Sequence, residues 1–133
     1  MSRRLLFVCV HNAGRSVMAE AFVNHLDAEG RTEAISAGTI PQGRPHPEVV
    51  EAMREIGIDV SAHEGRELTD ELVAWADRVI TLGCAVDDAA CPAIRFSQVD
   101  DWGLDDPKGR TAEQVREIRD QIRGRVEALL SAP

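Results

Sequence analysis

The feature that most constrains this chain is its opening strand, which runs into a short turn and then a helix. Residues 3–10 are rich in Leu, Phe and Val without polar alternation, which is typical of a strand buried on both faces of a parallel sheet. Residues 16–26 then carry apolar side chains at helical spacing. Strands that alternate with helices in this way predict an open α/β sheet with right-handed crossovers.

The remainder of the chain continues the alternation and contains no repeat, linker or low-complexity segment. Further strands are predicted at residues 33–37, 78–82 and 94–99, with helices that begin near Pro47, Thr69 and Thr111. We therefore predict one domain over residues 1–133, of the α/β class, with a four-stranded parallel open sheet flanked by helices. Ligands of such sheets bind beyond the carboxyl ends of the strands. Cys9 and Cys84 both lie close to the ends of predicted strands, at that edge.

The charge and hydropathy of the chain exclude several classes of protein. A net charge of −8, from 23 acidic and 15 basic residues, argues against non-specific binding of nucleic acid, which needs a basic face. The chain lacks an apolar stretch of the roughly 20 residues that a membrane span requires. The apolar run after Arg3 and Arg4 imitates a signal peptide, but no small-residue cleavage site follows, so we expect a cytoplasmic protein.

The three cysteines are Cys9, Cys84 and Cys91. An odd number of cysteines without a secretory signal does not suggest a structural disulfide framework. A zinc site is not expected either, because the chain has no paired CxxC motifs. Reactive or redox-active thiols remain, and we expect neither a bound metal nor a bound cofactor.

The turn after Cys9 has the composition of an oxyanion-binding loop. It consists of Val10, His11, Asn12, Ala13, Gly14, Arg15 and Ser16. Backbone N–H groups in a strand-to-helix turn can surround a tetrahedral oxyanion, and an arginine can hold two of its oxygens. The same donors, with the Ser16 hydroxyl, would stabilise a thiolate at Cys9. A core thiol at a strand end is the alternative, but the Cys-x5-Arg spacing favours a nucleophile.

Three motifs occur in order along essentially the whole chain: CVHNAGRS at 9–16, SAG at 36–38 and DDP at 105–107. With these motifs the chain resembles the low-molecular-weight protein tyrosine phosphatase superfamily. The resemblance implies a four-stranded parallel sheet, with Cys9 as nucleophile, Arg15 as oxyanion clamp and Asp106 as general acid. Asp105 takes the acid role if the register differs by one residue, and ordinary turn chemistry is the alternative for both.

Within that superfamily the chain resembles the arsenate reductases coupled to thioredoxin, through WGLDDPKG at 102–109 and a cysteine pair before Pro92. The resemblance implies that Cys9 attacks arsenate, that Cys84 then attacks Cys9 and releases arsenite, and that Cys91 moves the disulfide onward. Gly83 is a departure, since it shifts Cys84 by one residue. The alternative is a phosphatase that hydrolyses phosphomonoesters through a Cys9 phosphoenzyme, although the chain has no tyrosine to line an aromatic pocket. A phosphate-binding or redox-sensing protein without turnover ranks third.

The reductant implied by the resemblance is thioredoxin, and mycothiol or another small thiol is the alternative. Some arsenate reductases of this family bind potassium, and the residues aligned with its ligands here are Asn12, Glu20 and Ser36. The remaining acidic ligand falls near Arg66. We therefore expect a vestigial cation site in which the Arg66 guanidinium pairs with Glu20 and braces Asn12, with a solvated surface arginine as the alternative.

Overall fold

Strands and helices are interspersed along the described part of the chain. In the computed structural model, residues 3–27, 30–82, 99–104 and 107–131 are described. The elements are β1 (Arg3–Cys9), α1 (Arg15–Leu26), β2 (Thr32–Gly38), α2 (Pro47–Arg54), α3 (Asp70–Trp75), β3 (Arg78–Thr81), β4 (Val99–Asp101) and α4 (Ala112–Ser131). No helix among these residues is long and apolar enough to cross a membrane.

The sheet is parallel throughout, with the strand order β2-β1-β3-β4. Helices flank it, so the predicted α/β class is confirmed. The three longer strands are β1, β2 and β3, and the three-residue β4 pairs with the outer side of β3. The strand predicted at 94–99 overlaps β4 only at Val99, and most of it lies outside the described residues.

The strand β1 is buried on both faces, which explains why its sequence does not alternate. Leu5 and Phe7 pack into a core that also contains Phe22 of α1 and Ile122 of α4. Leu6 and Val8 pack in a second cluster with α3. The central position of β1 therefore requires apolar residues at consecutive positions.

The helix starts predicted near Pro47, Thr69 and Thr111 are confirmed. Pro47 is the first residue of α2, where its missing N–H costs nothing. The Thr69 hydroxyl accepts a hydrogen bond from the Leu72 N–H at the start of α3. Thr111 and Gln114 form a reciprocal capping box before α4, with distances of 3.2 and 3.0 Å.

The strand order places a topological switch beside Cys9. The chain leaves β1 towards β2 on one side, whereas β3 occupies the other side. Ligands of α/β sheets bind beyond the carboxyl ends of the strands at such a switch. Cys9 is the last residue of β1 and stands at this position.

Candidate active site

The backbone of the loop after Cys9 is held by a second loop, formed by residues 39–46. The carbonyls of Cys9, Val10, His11 and Ala13 accept hydrogen bonds from the N–H groups of Thr39, Ile40, Gln42 and His46. All peptide bonds in the described residues are trans, so each following N–H points the opposite way from its carbonyl. Four N–H groups of the loop thus point away from residues 39–46, and α1 begins directly after them. This arrangement can accept an oxyanion.

Two glycines permit the close packing of this region. A Cβ on Gly38 would lie 2.6 Å from the Val10 oxygen and 2.9 Å from the Asn12 nitrogen. A Cβ on Gly14 would lie 2.8 Å from Cγ of Pro107. Asn12 adopts a positive φ of 49°, a left-handed conformation that asparagine tolerates better than most residues. The loop therefore touches both the SAG segment and the proline of the DDP motif.

The thiol of Cys9 is almost fully buried, with 3% of the residue exposed. Its Sγ lies 2.8 Å from Oγ of Ser16. The Asn12 side chain donates from Nδ2 to the same Ser16 oxygen at 2.9 Å. Because both Asn12 and Ser16 have no exposed surface, the thiol faces buried protein groups on this side rather than water.

The side-chain oxygen of Asn12 contacts two residues, Arg66 and His63. Oδ1 of Asn12 accepts the Arg66 backbone N–H at 2.9 Å and lies 3.0 Å from Nε2 of His63. Nδ1 of His63 lies 3.5 Å from Oε2 of Glu20. The other oxygen of Glu20 accepts the Ser36 N–H and hydroxyl, at 2.8 and 3.2 Å.

This geometry corrects the expectation for Arg66. Asn12, Glu20 and Ser36 do lie together, but the partner of Glu20 is the His63 ring and not the Arg66 guanidinium. Arg66 is exposed and contacts Asn12 only through its backbone N–H in the described contacts. The physical reason is that the His63 ring lies between the Asn12 and Glu20 side chains and contacts both of them.

The guanidinium of Arg15 is also nearly buried, with 8% of the residue exposed. Nη1 donates to the carbonyl of Leu104 at 2.7 Å, which ties the start of α1 to the residue before the DDP motif. This bond uses one of five N–H donors of the side chain. Arg15 thus contacts Leu104, two positions before the predicted acid Asp106. Gly14 packs closely against Pro107, which directly follows Asp106.

Five of the residues singled out in the sequence lie outside the described residues. They are the predicted acid Asp106, its neighbour Asp105, the cysteines Cys84 and Cys91, and Gly83. His11 has only its backbone in the contacts described above. His63 is the residue that sequence reasoning missed, because it lies 51 positions from Asn12 in a loop without strand or helix periodicity. Only a tertiary contact reveals it.

Taken together, the described residues offer what a nucleophilic thiol and a tetrahedral anion need. The Cys9 thiol ends a buried strand, the Ser16 hydroxyl lies 2.8 Å from it, and the positively charged Arg15 stands at the start of the following helix. Such a site can attack a central phosphorus or arsenic atom while backbone N–H groups stabilise the charge that develops on oxygen.

Known proteins resemble this chain in sequence and in fold. Residues 4–132 match the family model of the low molecular weight phosphotyrosine protein phosphatases. A Halobacterium salinarum protein provisionally named an arsenate reductase is 44% identical over 124 residues, which is 90% of this chain and 85% of that protein.

Two solved structures are also similar. An arsenate reductase in the phosphate binding state is 35% identical with a TM-score of 0.84, over 97% of each chain. A thioredoxin-dependent arsenate reductase of Corynebacterium glutamicum is 37% identical with a TM-score of 0.77, over 96% of this chain and 60% of that one. With a match over nearly its whole length, the chain belongs to the low molecular weight phosphotyrosine protein phosphatase family.

Proposed function

We propose that the protein is an arsenate reductase in which Cys9 is the nucleophile and residues 10–16 bind the oxyanion. The observation that carries this proposal is the buried Cys9 thiol, 2.8 Å from the Ser16 hydroxyl and at the start of a loop whose N–H groups point away from residues 39–46. Arg15 would clamp the oxyanion, since a guanidinium can hold two oxygens at once. The relatives that are named arsenate reductases support the same reaction.

The first step is a substitution at arsenic. The Cys9 thiolate forms a bond to As(V), and one arsenate hydroxyl leaves as water after Asp106 gives it a proton. Asp106 is assigned by its place in the DDP motif, between Leu104 and Pro107, which contact Arg15 and approach Gly14 respectively. Arsenic remains in the +5 state, and the product is a covalent adduct on Cys9.

The second step is the reduction. The Cys84 thiolate attacks Sγ of Cys9, the sulfur–arsenic bond breaks, and its electron pair passes to arsenic, which leaves as As(III) arsenite. Two thiols supply the two electrons and become a Cys9–Cys84 disulfide. Cys91 then attacks Cys84, which frees the Cys9 thiolate and leaves a Cys84–Cys91 disulfide for an external dithiol to reduce. We call these three exchanges the thiol relay.

The external dithiol is proposed to be thioredoxin, because a similar solved structure is a thioredoxin-dependent arsenate reductase. Mycothiol or another small thiol is the alternative, and would attack the Cys9 adduct directly. Both reductants require reducing conditions, in keeping with a cytoplasmic location.

Phosphatase activity is the second candidate. The features that favour it are the buried Cys9 thiol and the nearly buried Arg15 side chain in the loop that follows it, which phosphomonoester hydrolysis also needs. In that reaction Cys9 would carry a phosphoryl group that water removes. The two later cysteines would have no role in it.

The variant Cys91→Ser separates the two reactions. With Cys9 and Cys84 intact it should release one equivalent of arsenite and then stop as a Cys9–Cys84 disulfide, detected by mass spectrometry after digestion. Thioredoxin-driven turnover should fall to near background, while hydrolysis of an aryl phosphate should be unchanged because it needs no reductant. Cys9→Ser is the matched control and should abolish both activities.

Multiple turnover with thioredoxin at the wild-type rate in both Cys91→Ser and Cys84→Ser would contradict the thiol relay. Turnover of these variants only when a small thiol is supplied would instead assign that thiol as the reductant. Aryl phosphate hydrolysis without any arsenate-dependent thiol oxidation would make the protein a phosphatase.

A further inference from the structure

His46 is a buried titratable residue to which the proposed reaction gives no role. Only 7% of the residue is exposed, although Arg44 and Pro47 beside it are exposed. It is the N-cap of α2, but its side chain makes no capping hydrogen bond there. The imidazole is therefore not needed to start the helix, and its role must be sought in what the ring packs against.

The backbone on both sides of His46 is fixed by proline. Pro45 precedes it and Pro47 follows it, and a residue before proline is restricted to extended backbone. His46 has φ −61° and ψ 138°, in agreement with this restriction. Its N–H donates to the Ala13 carbonyl at 2.9 Å, and its carbonyl accepts the Val49 N–H at 3.0 Å. The base of the side chain is thus held between the oxyanion-binding loop and α2.

The rings of His46 and Pro107 border the same point of the oxyanion-binding loop. Measured from the place that a Cβ on Gly14 would take, Cγ of Pro107 lies at 2.8 Å and Cδ2 of His46 at 3.5 Å. Both are carbon atoms, so the contact is one of packing. The glycine backbone beneath them is held in place, because the carbonyls of Ala13 and Gly14 accept hydrogen bonds. The imidazole and the proline ring therefore share a confined space.

We infer that His46 is a positioning residue for the general acid. Its imidazole occupies the space beside Pro107 and so keeps the proline from shifting across Gly14. A proline ring is part of the backbone, so a shift of Pro107 also moves Asp106, which directly precedes it. His46 thereby determines where Asp106 delivers its proton. The inference deepens the proposed function, since it rests on Asp106 being the acid.

Loss of the imidazole should affect the acid and leave the nucleophile unchanged. The substitution His46→Ala removes the ring but keeps the backbone N–H that binds the Ala13 carbonyl. The thiol of Cys9 contacts the Ser16 hydroxyl, a contact in which His46 takes no part. Alkylation of Cys9 by iodoacetamide at pH 7 should therefore proceed at the wild-type rate in His46→Ala.

The test compares two leaving groups in aryl phosphate hydrolysis. The phenolate of phenyl phosphate needs a proton from the acid, whereas para-nitrophenolate leaves readily as an anion. In His46→Ala we expect kcat/KM to fall about tenfold for phenyl phosphate and less than about threefold for para-nitrophenyl phosphate. We expect kcat/KM for arsenate to fall about tenfold as well, because its departing hydroxyl must be protonated.

Two controls separate this effect from a general loss of stability. Val49→Ala removes a buried side chain from the same turn of α2, so it should lower the melting temperature and leave the ratio of the two aryl phosphate rates unchanged. In Gly14→Ala the new Cβ presses on Pro107 directly. Adding His46→Ala to that variant should lower kcat/KM for phenyl phosphate by less than a further threefold, since both changes act through the same proline.

Equal losses for the two aryl phosphates in His46→Ala would overturn the inference, because the ring would then support the site in general. A full additional loss in the Gly14→Ala background, or a wild-type kcat/KM for arsenate in His46→Ala, would also overturn it. A wild-type protein that hydrolyses aryl phosphates but reduces no arsenate would instead contradict the proposed function. The comparison of leaving groups would still decide the role of His46 in that case.

Discussion

Replacing Gly14 with alanine should displace the acid loop without disturbing the nucleophile. The added Cβ would lie 2.8 Å from Cγ of Pro107, and the next nearest atoms are Cδ of Pro107 at 3.4 Å and Cδ2 of His46 at 3.5 Å. Carbon atoms pack best at roughly 3.5–4.0 Å, so the contact with Pro107 must open by about 1 Å. The proline ring is joined to the backbone and cannot swing aside as a long side chain would.

The geometry indicates which side gives way. The turn at Gly14 is fixed because the Ala13 and Gly14 carbonyls accept bonds from His46 and Met18, at 2.9 and 3.0 Å. We therefore expect Pro107 to move, and with it the preceding Asp106. Misplacing a catalytic group by about 1 Å can cost on the order of 10²-fold in rate, and overpacking a filled site costs about 1–3 kcal/mol of stability. For a chain of this length that corresponds to a melting temperature lower by roughly 3–10 °C.

The assay measures kcat for arsenate reduction and for aryl phosphate hydrolysis, together with alkylation of Cys9. Both kcat values should fall by about 10²-fold in Gly14→Ala, whereas the alkylation rate should change by less than about threefold. Gly124→Ala is the matched control, because its Cβ would meet nothing within 4 Å in α4. It should keep full activity and raise stability by about 0.5–1 kcal/mol.

A wild-type kcat in Gly14→Ala would refute the reasoning, because Pro107 would then move without affecting proton delivery. A loss of Cys9 alkylation in parallel with kcat would also refute it. That outcome would mean that the oxyanion loop had shifted and that Pro107 had stayed in place.

Two further predictions concern charged side chains. Arg15→Lys keeps the charge but loses the planar fork, so kcat/KM for arsenate and for aryl phosphate should each fall by about 10²-fold in steady-state assays; a change below threefold would contradict the clamp. Glu55 on the end of α2 accepts hydrogen bonds from Arg116 and Arg119 of α4, and the bond from Arg116, more than any other cause, lowers the pKa of Glu55 below its ordinary 4.5. A lowered carboxylate pKa stabilises the fold above the unfolded value, and this is lost as the pH falls through the folded value. Glu55→Gln should therefore melt at a lower temperature than the wild type at pH 7, and this difference should shrink as the pH falls below 4.5 through the lowered folded-state pKa.

Local signals in the sequence were sufficient for the fold class and for the helix starts. The apolar run at 3–10 indicated a strand buried on two faces, and β1 is buried on both. Thr69 and Thr111 were assigned as caps because their hydroxyls can accept a nearby backbone N–H, and both do so. These features depend on neighbours within four positions, which a sequence displays directly.

The parts that could not be predicted depend on distant contacts. Arg66 was expected to brace Asn12 through its guanidinium, whereas its backbone N–H and the ring of His63 do so across more than 50 positions. The approach of Gly14 to Pro107 is likewise a contact between two loops. Side-chain length and charge suggest which residues could meet, but the packing of the loops decides which ones do.

The central position of β1 also determines how Cys9 can become exposed by unfolding. Hydrogen bonds join this strand to β2 along seven residue pairs and to β3 along four, so an opening that frees Cys9 must break the sheet on two sides. Segments of this kind exchange their amide hydrogens only through global unfolding. The amides of Leu6 and Val8 should therefore exchange among the slowest in the described part of the chain. A destabilising substitution far from the site would then lower activity through the fraction of folded molecules, and the folded molecules would keep their full kcat.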